Sequence, residues 1–270
     1  MSSLSRVAIF IPAYQAARVI ESTLERIPLK VWEMVDEIFV HDNCSTDGTA
    51  EIAKRCGERL GGGKFKLFEL ERNIGYGGTK KRAYQYAVRR GFDFVVMLHA
   101  DGQYPPEYIP ELLAPLVRGE CEMVQGSRVD HLKGGMPLYK IIANRALNMI
   151  EEAVFGYRLH EYHSGFLAYS CKALAKMPLE RLSDWHLITA EIVALLKYHG
   201  MRAREVCVPT FYTDKTSSCS FSTSVRYGIG VLPVLFGYLL ASKKLSLGRL
   251  YEPGAQSLQS QKERGSVAER

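Results

Sequence analysis

The chain has 270 residues, of which 47% are hydrophobic and 24% charged. This excludes a mainly disordered chain, and the length suffices to bury a core without disulfides or metals. The formal charge of +6 favours anionic partners such as phosphates, nucleotides or a lipid headgroup surface, while the lack of a long Lys/Arg run or basic–aromatic stripe argues against nucleic acid.

Met1 to Arg6 is short and polar and lacks the three regions of a secretory signal. The six cysteines are scattered, with no CxxC pair, which fits a reducing compartment and argues against a zinc site of the usual spacing. Both features lead to the expectation of a cytoplasmic protein. Val7–Ile11 reads as a buried strand that Pro12 ends, and Val19, Ile20, Leu24 and Ile27 follow at helical spacing. Glu37–Val40 is a second strand, followed by the turn- and cap-rich stretch His41–Gly48 and a helix over Thr49–Arg55. Phe65–Leu70, Lys80–Arg90 and Phe94–Leu98 then read as strand, helix and strand. Such alternation predicts an α/β fold with a mainly parallel sheet flanked by helices. In the second half, Pro105-Pro106 opens a helix through Glu107–Leu116, and Met123–Gln125 is a short strand. Tyr139–Phe155 and Leu187–Tyr198 are helices, with strands at Gly165–Tyr169 and Arg204–Val208. Thr213–Ser224 reads as a polar loop. Tyr227–Ser242 is uncharged, and as 16 residues it falls short of the ~20 that cross a bilayer. With Arg226, Lys243, Lys244 and Arg249 beside it, the segment suits an interfacial helix on anionic lipid or, equally, an internal core helix pair. Three parts are expected: a domain over 1–224, with halves of about 1–104 and 105–224, an apolar segment 225–250, and a disordered tail 251–270.

Parallel sheets bind ligands beyond the carboxyl ends of their strands. The residues there are Pro12-Ala13-Tyr14, Asp42-Asn43, Arg72–Gly75 and His99–Gln103. Asp101 and Gln103 form the sharpest pair. An Asp at a strand end, with Gly and Gln in a tight turn, offers two oxygen ligands to Mg2+ or Mn2+, which would take its other ligands from phosphate and water. The same Asp also suits a turn or an N-cap. Asp42 could accept from a base or a ribose, or close an Asx-turn. Gly75–Lys80 only loosely resembles a phosphate loop, because Lys80 stands where the last Gly of G-x-G-x-x-G belongs, although a helix N-terminus with Lys80 and Lys81 could still touch phosphate. His160-Glu161-Tyr162-His163 lacks the H-E-x-x-H spacing of a zinc site, and no G-x-S-x-G elbow occurs. Arg128 and Lys215 could bind phosphate or be solvated. Glu191, on its helix, could act as a base, orient an acceptor, or be an ordinary surface carboxylate.

Six stretches carry a resemblance: Ile11–Tyr14, Asp42–Thr49, Asn73–Gly77, Ala100–Gln103, Gly126–Arg128 and His163–Phe166. In this order they resemble the GT-A family-2 glycosyltransferases, in particular the dolichyl-phosphate mannosyltransferase-like branch, from about Val7 to Thr213. The resemblance implies a GT-A domain that moves a sugar, with inversion, from a UDP- or GDP-linked nucleotide diphosphosugar to an acceptor. That acceptor would be a polyprenyl phosphate or another membrane-linked group. It places Pro12, Tyr14, Asp42, Gly75, Lys80, His99 and Asp101 at the donor, and Asp101 and Gln103 on the metal. It gives Arg128 and Glu191 acceptor-side or catalytic roles, beside Lys215 and Ser217 in an acceptor loop. A protein at the inner face of the membrane would follow. Three departures stand out: His99 replaces the first Asp of D-x-D, Ala16-Ala17 replaces acidic residues, and two clear membrane spans are missing. A neutral imidazole can donate to a ribose hydroxyl or phosphate where a carboxylate only accepts. Other readings are a transferase to a soluble hydroxyl acceptor, a nucleotidyltransferase, and a catalytically silent sugar-nucleotide-binding scaffold.

Overall fold

A computed structural model describes residues 5–128, 138–209, 221–245 and 248–252. Its centre is a seven-stranded sheet in the order β3-β2-β1-β4-β6-β5-β7. The strands are β1 (Val7–Ala13), β2 (Glu37–Asp42), β3 (Phe65–Glu69), β4 (Phe94–Met97), β5 (Met123–Arg128), β6 (Leu167–Ser170) and β7 (Ala203–Val208). Between and after them run α1 (Ile20–Arg26), α2 (Leu29–Met34), α3 (Thr49–Gly61), α4 (Gly75–Arg89), α5 (Ile109–Val117), α6 (Leu138–Phe155), α7 (Cys171–Leu174), α8 (Ile188–Tyr198) and α9 (Phe221–Ser242).

Only β6 runs against its neighbours β4 and β5; the other pairings are parallel. The carboxyl ends of β1, β2, β3, β4, β5 and β7 therefore share one edge, and the chain entering β6 arrives at that same edge. This is how the topology gathers the strand-end motifs. Alternate side chains of each strand enter different layers. Ala8, Phe10, Phe39, Val95 and Met97 pack toward α4, α7, α8 and α9. Val7, Ile9, Ile11, Ile38, Val40, Val96 and Leu98 pack toward α1, α3 and α5. Strands buried on both faces explain the continuous apolar runs in the sequence.

Several boundaries differ from the sequence expectation for identifiable reasons. β1 continues through Pro12, which pairs with His41 on β2, whereas the pairing with β4 stops at Phe10 and Met97. Beyond that point no β4 ladder needs the missing N–H, so the proline does not end the strand. α4 begins at Gly75, ahead of the expected Lys80, because Gly75, Gly77 and Gly78 form its first turn against the backbone of Asp184: Gly77 N–H and Gly78 N–H donate to Asp184 O at 2.8 and 3.2 Å. Cβ atoms at Gly75 and Gly77 would lie 2.5 Å from Asp184 O and 2.3 Å from Ser183 O, so only glycine permits the approach. The short helix α2 follows from no motif noted in the sequence.

α9 is one continuous helix of 22 residues through Pro233, not a 16-residue segment or a helix pair, and it starts inside the expected 213–224 loop. Its 222–242 stretch is long and apolar enough to cross a membrane by length and composition. It carries two apolar faces. Val231, Leu235, Tyr238 and Ala241 are buried against the domain, while Val225, Ile229, Leu232, Phe236 and Leu239 are exposed. The expected tail beyond Glu252 lies outside the described residues.

Candidate active site

The loops at the sheet edge hold one another through side chains of the 42–49 stretch. Asn43 N–H donates to Ala13 O, its Nδ2 donates to Asn73 Oδ1, and its Oδ1 accepts from Ile74 N–H, which ties together the ends of β1, β2 and β3. Asn73 Oδ1 also accepts from Gly75 N–H at the start of α4. Ser45 Oγ, Asp47 Oδ2 and Thr49 Oγ1 accept the backbone N–H groups of Gln15, Ala17 and Ala16. Residues 45, 47 and 49 thus fasten the loop that carries Tyr14, which is 53% exposed.

Asp42 is different. It is 2% exposed; its Oδ2 accepts Ser45 N–H, three residues on, at 2.9 Å, while its buried Oδ1 has no hydrogen-bond partner among the described residues. The Oδ2 bond closes the turn that follows β2. A buried, unmatched carboxylate oxygen is costly, and a ligand N–H or O–H would relieve it. Nearby His41 sits among Phe10, Phe39 and Phe68, and burial, with Arg82 adding to it, lowers its pKa to about 4.

The turn after β4 is held from α1. Thr23 Oγ1 donates to Ala100 O at 2.7 Å, and Arg26 reaches Gly102 O while pairing with Glu107 at 3.0 Å. Gly102 adopts φ +69°, and Asp101 Oδ1 accepts Gln103 N–H at 3.1 Å, closing the tight turn expected from the sequence. Gln103 is buried and Asp101 partly exposed. A carboxylate and an amide two residues apart form an all-oxygen donor set, the chemistry of Mg2+ or Mn2+. Among the described residues, the one group of three metal-ligating side chains is Glu21, Glu25 and Cys56, between α1 and α3, where Arg55 and Arg59 pair with the two carboxylates. Asp101 belongs to no such group among the described residues.

His99 is set in an aromatic frame that sequence reading did not reveal. Its Nε2 lies 3.1 Å from Tyr76 Oη, and its ring meets those of Tyr76 and Tyr104 edge-on. Tyr104 Oη accepts Gly165 N–H at 2.9 Å, and a Cβ on Gly165 would lie 2.3 Å from His99 Cε1. The glycine of the 163–166 stretch therefore makes room for the histidine that replaces the first acidic residue of D-x-D. On the other side, His186 stacks on Tyr76 at 4.9 Å.

Two expected residues, Lys80 and Glu191, sit differently from the sequence picture. Lys80 does not face the loops: it is fully buried and its Nζ donates to Thr189 Oγ1 at 2.8 Å. Direct contact with a bound phosphate is closed to it, because α4 starts early and turns this position into the core. Gly75, at φ +78°, opens α4 at the sheet edge. Glu191 accepts Ser183 N–H at 2.7 Å, and burial raises its pKa. Its carboxylate is committed to the 183–187 loop, which carries His186 and docks on α4. Arg128 ends β5 at the shared edge. Lys215 and Ser217 lie outside the described residues.

The 163–166 stretch and the 183–187 loop are joined to α9. Tyr227 Oη is 3.1 Å from His163 Nδ1, while His163 Nε2 approaches the buried Glu151 Oε2 to 2.9 Å without hydrogen-bond alignment. The Arg226 guanidinium lies 4.8 Å over Trp185, next to His186. The first turns of α9 are thereby fastened to the loops that frame His99.

Residues 8–177 match Glycosyl transferase family 2. The chain belongs to this family. It is 30% identical over 229 residues to an uncharacterized protein of Methanocaldococcus jannaschii, covering 84% of this chain and 89% of that one. It is 27% identical over 237 residues to a UDP-N-acetylglucosamine–dolichyl-phosphate N-acetylglucosaminyltransferase of Methanococcus voltae, covering 83% and 92%. It is also 27% identical over 184 residues to an undecaprenyl-phosphate mannosyltransferase of Micrococcus luteus, covering 66% and 72%. The fold is similar to glucosyl-3-phosphoglycerate synthase of Mycobacterium tuberculosis in complex with phosphoglyceric acid, with a TM-score of 0.67 at 19% identity over 87% of this chain and 80% of that one. The same synthase in complex with Mn2+, UDP and glucosyl-3-phosphoglycerate has a TM-score of 0.62 at 18% identity, covering 87% and 80%. The protein is therefore a glycosyltransferase with a GT-A fold, and the expected fold class and family hold.

Proposed function

We propose that the protein transfers a sugar, with inversion, from a UDP-linked nucleotide diphosphosugar to a membrane-linked polyprenyl phosphate. The observation that carries the donor half is the pairing of Asp42, with its unmatched buried oxygen, and the Asp101–Gln103 turn. Asp42 ends β2 and the Asp101–Gln103 turn follows β4; these strands are the two neighbours of β1 and run about 10 Å apart, so both groups emerge at the shared edge on either side of β1, an arrangement suited to a nucleotide diphosphate. Pro12, Tyr14 and Asp42 hold the base and ribose in this reading, and His99 donates to the diphosphosugar. Asp101 and Gln103 would hold Mg2+ or Mn2+, which, when bound, offsets negative charge on the diphosphate. Support for a divalent ion and for UDP comes from the synthase of similar fold, whose complexes contain both.

The acceptor half rests on the two relatives named for dolichyl and undecaprenyl phosphates. A phosphate oxygen of such an acceptor attacks the anomeric carbon from the face opposite the nucleotide. The bond from that carbon to the diphosphate oxygen breaks, and the diphosphate leaves with the electron pair. The attacking oxygen is already anionic, so no protein base is needed, which agrees with a Glu191 engaged elsewhere. Arg128 and Lys215, with Ser217, hold the acceptor phosphate in this reading. The exposed face of α9, followed by Lys243, Lys244 and Arg249, lies on the inner leaflet of the membrane.

The test is incubation of the full chain with Mn2+ and a panel of UDP- and GDP-sugars, with and without polyprenyl phosphate in vesicles. Sugar in the lipid fraction, with one UDP released per sugar transferred, supports the reading. Transfer only to a soluble hydroxyl acceptor refutes the lipid half. Tight nucleotide binding with no turnover of any donor favours a silent scaffold.

A further inference from the structure

Beneath the candidate donor site lies a lysine that the chemistry above does not use. Lys80 is 0% exposed, donates to Thr189 Oγ1 on α8, and has no carboxylate within ion-pair reach among the described residues. An apolar side chain of similar length would occupy such a core position without the cost of burying an ammonium. What surrounds the ammonium instead is aromatic: its Nζ is 5.1 Å from the ring centre of Tyr76 and 6.0 Å from that of Tyr84. Tyr76 is the residue whose hydroxyl meets His99 Nε2 at 3.1 Å, and it is stacked by His186.

We propose that Lys80 is a positioning residue of the donor site, which acts through Tyr76 to fix the ring orientation and tautomer of His99. A cation over a phenol ring draws electron density from the hydroxyl and makes it a stronger donor. Tyr76 then donates to Nε2, and His99 carries its proton on Nδ1. The thread from buried charge to site runs entirely through contacts described above. Its consequence for ligand binding rests on the donor-site reading, whereas the tautomer itself does not.

The groups facing Lys80 are Tyr76 and Tyr84 on α4, His186 in the loop before α8, and Thr189 on α8. None is a carboxylate. Burial lowers the ammonium pKa to about 7, so the charge over Tyr76 is itself titratable near neutrality.

The experiment is two-bond 1H–15N correlation spectroscopy of the histidine-labelled full chain, with UDP–Mn2+ titrations, on wild type, Lys80→Met, Tyr76→Phe and the double variant. The expected wild-type signal of His99 is the Nδ1–H tautomer. Lys80→Met should give a mixture of tautomers and a loss of about tenfold in UDP–Mn2+ affinity, the size of one desolvated cation–ring contact. The double variant should lose no more than Tyr76→Phe alone. An unchanged tautomer in Lys80→Met overturns the proposal. If that variant does not fold, the Lys80 Cε and the Tyr76 ring carbons of the wild type are followed together with pH: a midpoint shared by the two supports the coupling, and a Tyr76 profile that is flat or follows His99 or His186 instead overturns it. A wild type that binds no UDP, with the tautomer change intact, would refute the donor reading and leave the coupling standing.

Discussion

Replacing Gly165 by Ala tests the packing that sets His99. The added Cβ would stand 2.3 Å from His99 Cε1 and 2.4 Å from Nε2. Carbon atoms rest at about 3.5–4.0 Å, so the imidazole must retreat by about 1 Å or more. Tyr104 blocks one direction with an edge-on ring, and any retreat stretches the 3.1 Å contact to Tyr76. Overpacking of a filled site costs about 1–3 kcal/mol. His99 is partly exposed and can swing outward, so the low end applies: about 1–2 kcal/mol, read as a lower urea midpoint with an unchanged m-value. The larger effect falls on nucleotide binding, because the ring swings into the candidate donor site, and UDP–Mn2+ affinity should drop by about tenfold or more. Gly63→Ala is the control, since a Cβ there meets nothing within 4 Å. If Gly165→Ala keeps both the wild-type midpoint and the wild-type affinity, the aromatic frame around His99 does not constrain it and the reasoning fails.

Three further outcomes are expected. Lys80 carries a lowered pKa of about 7 against an ordinary 10.5, so the unfolded chain binds more protons between these values and stability rises with pH across that window. Lys80→Met should therefore exceed wild type in urea stability at pH 6, with the gap narrowing toward pH 10; a gap that does not narrow contradicts the burial account. Asp42→Ala removes the acceptor of Ser45 N–H, which should cost about 1 kcal/mol in stability, and removes the unmatched oxygen, which should weaken UDP binding about tenfold in calorimetry; full-strength binding would remove Asp42 from the donor site. Along α9, changing Ile229, Leu232 and Phe236 together to Gln should leave the melting transition in place and reduce sedimentation with anionic vesicles, whereas Leu235→Ala, on the buried face, should cost about 2–5 kcal/mol; the reverse pattern would place the wrong face on the membrane.

The first half of the fold was legible because the apolar runs of β1, β2 and β4 are strands buried on both faces, with β3 a partly exposed edge strand, and each following loop carries turn chemistry. The six motif stretches pointed to one sheet edge, and the topology brings them there. Pro12 misled at the end of β1, since whether a proline ends a strand depends on which neighbour still pairs with it. Lys80 misled more deeply. A lysine beside three glycines loosely resembles a phosphate loop, but the glycines serve contact with the backbone of residues 183–185, more than a hundred positions away in sequence. His186 and the Glu191–Ser183 bond were illegible for the same reason: they depend on where an irregular loop docks. Tyr104, next to Gln103, could have been singled out as an aromatic neighbour of the metal turn. The two faces of α9 were hidden because apolar residues cover most of its circumference, and only the packed structure separates those that meet the core from those left exposed.

The central claim is that Asp101, with Gln103, holds the divalent ion that accompanies the nucleotide diphosphate. Titration of Mn2+ into UDP-saturated protein, followed by calorimetry and by loss of the free Mn2+ electron paramagnetic signal, tests it most directly. The account predicts one Mn2+ per chain for the wild type and loss of that binding in Asp101→Ala, with the fold retained. Wild-type Mn2+ affinity in Asp101→Ala would contradict it.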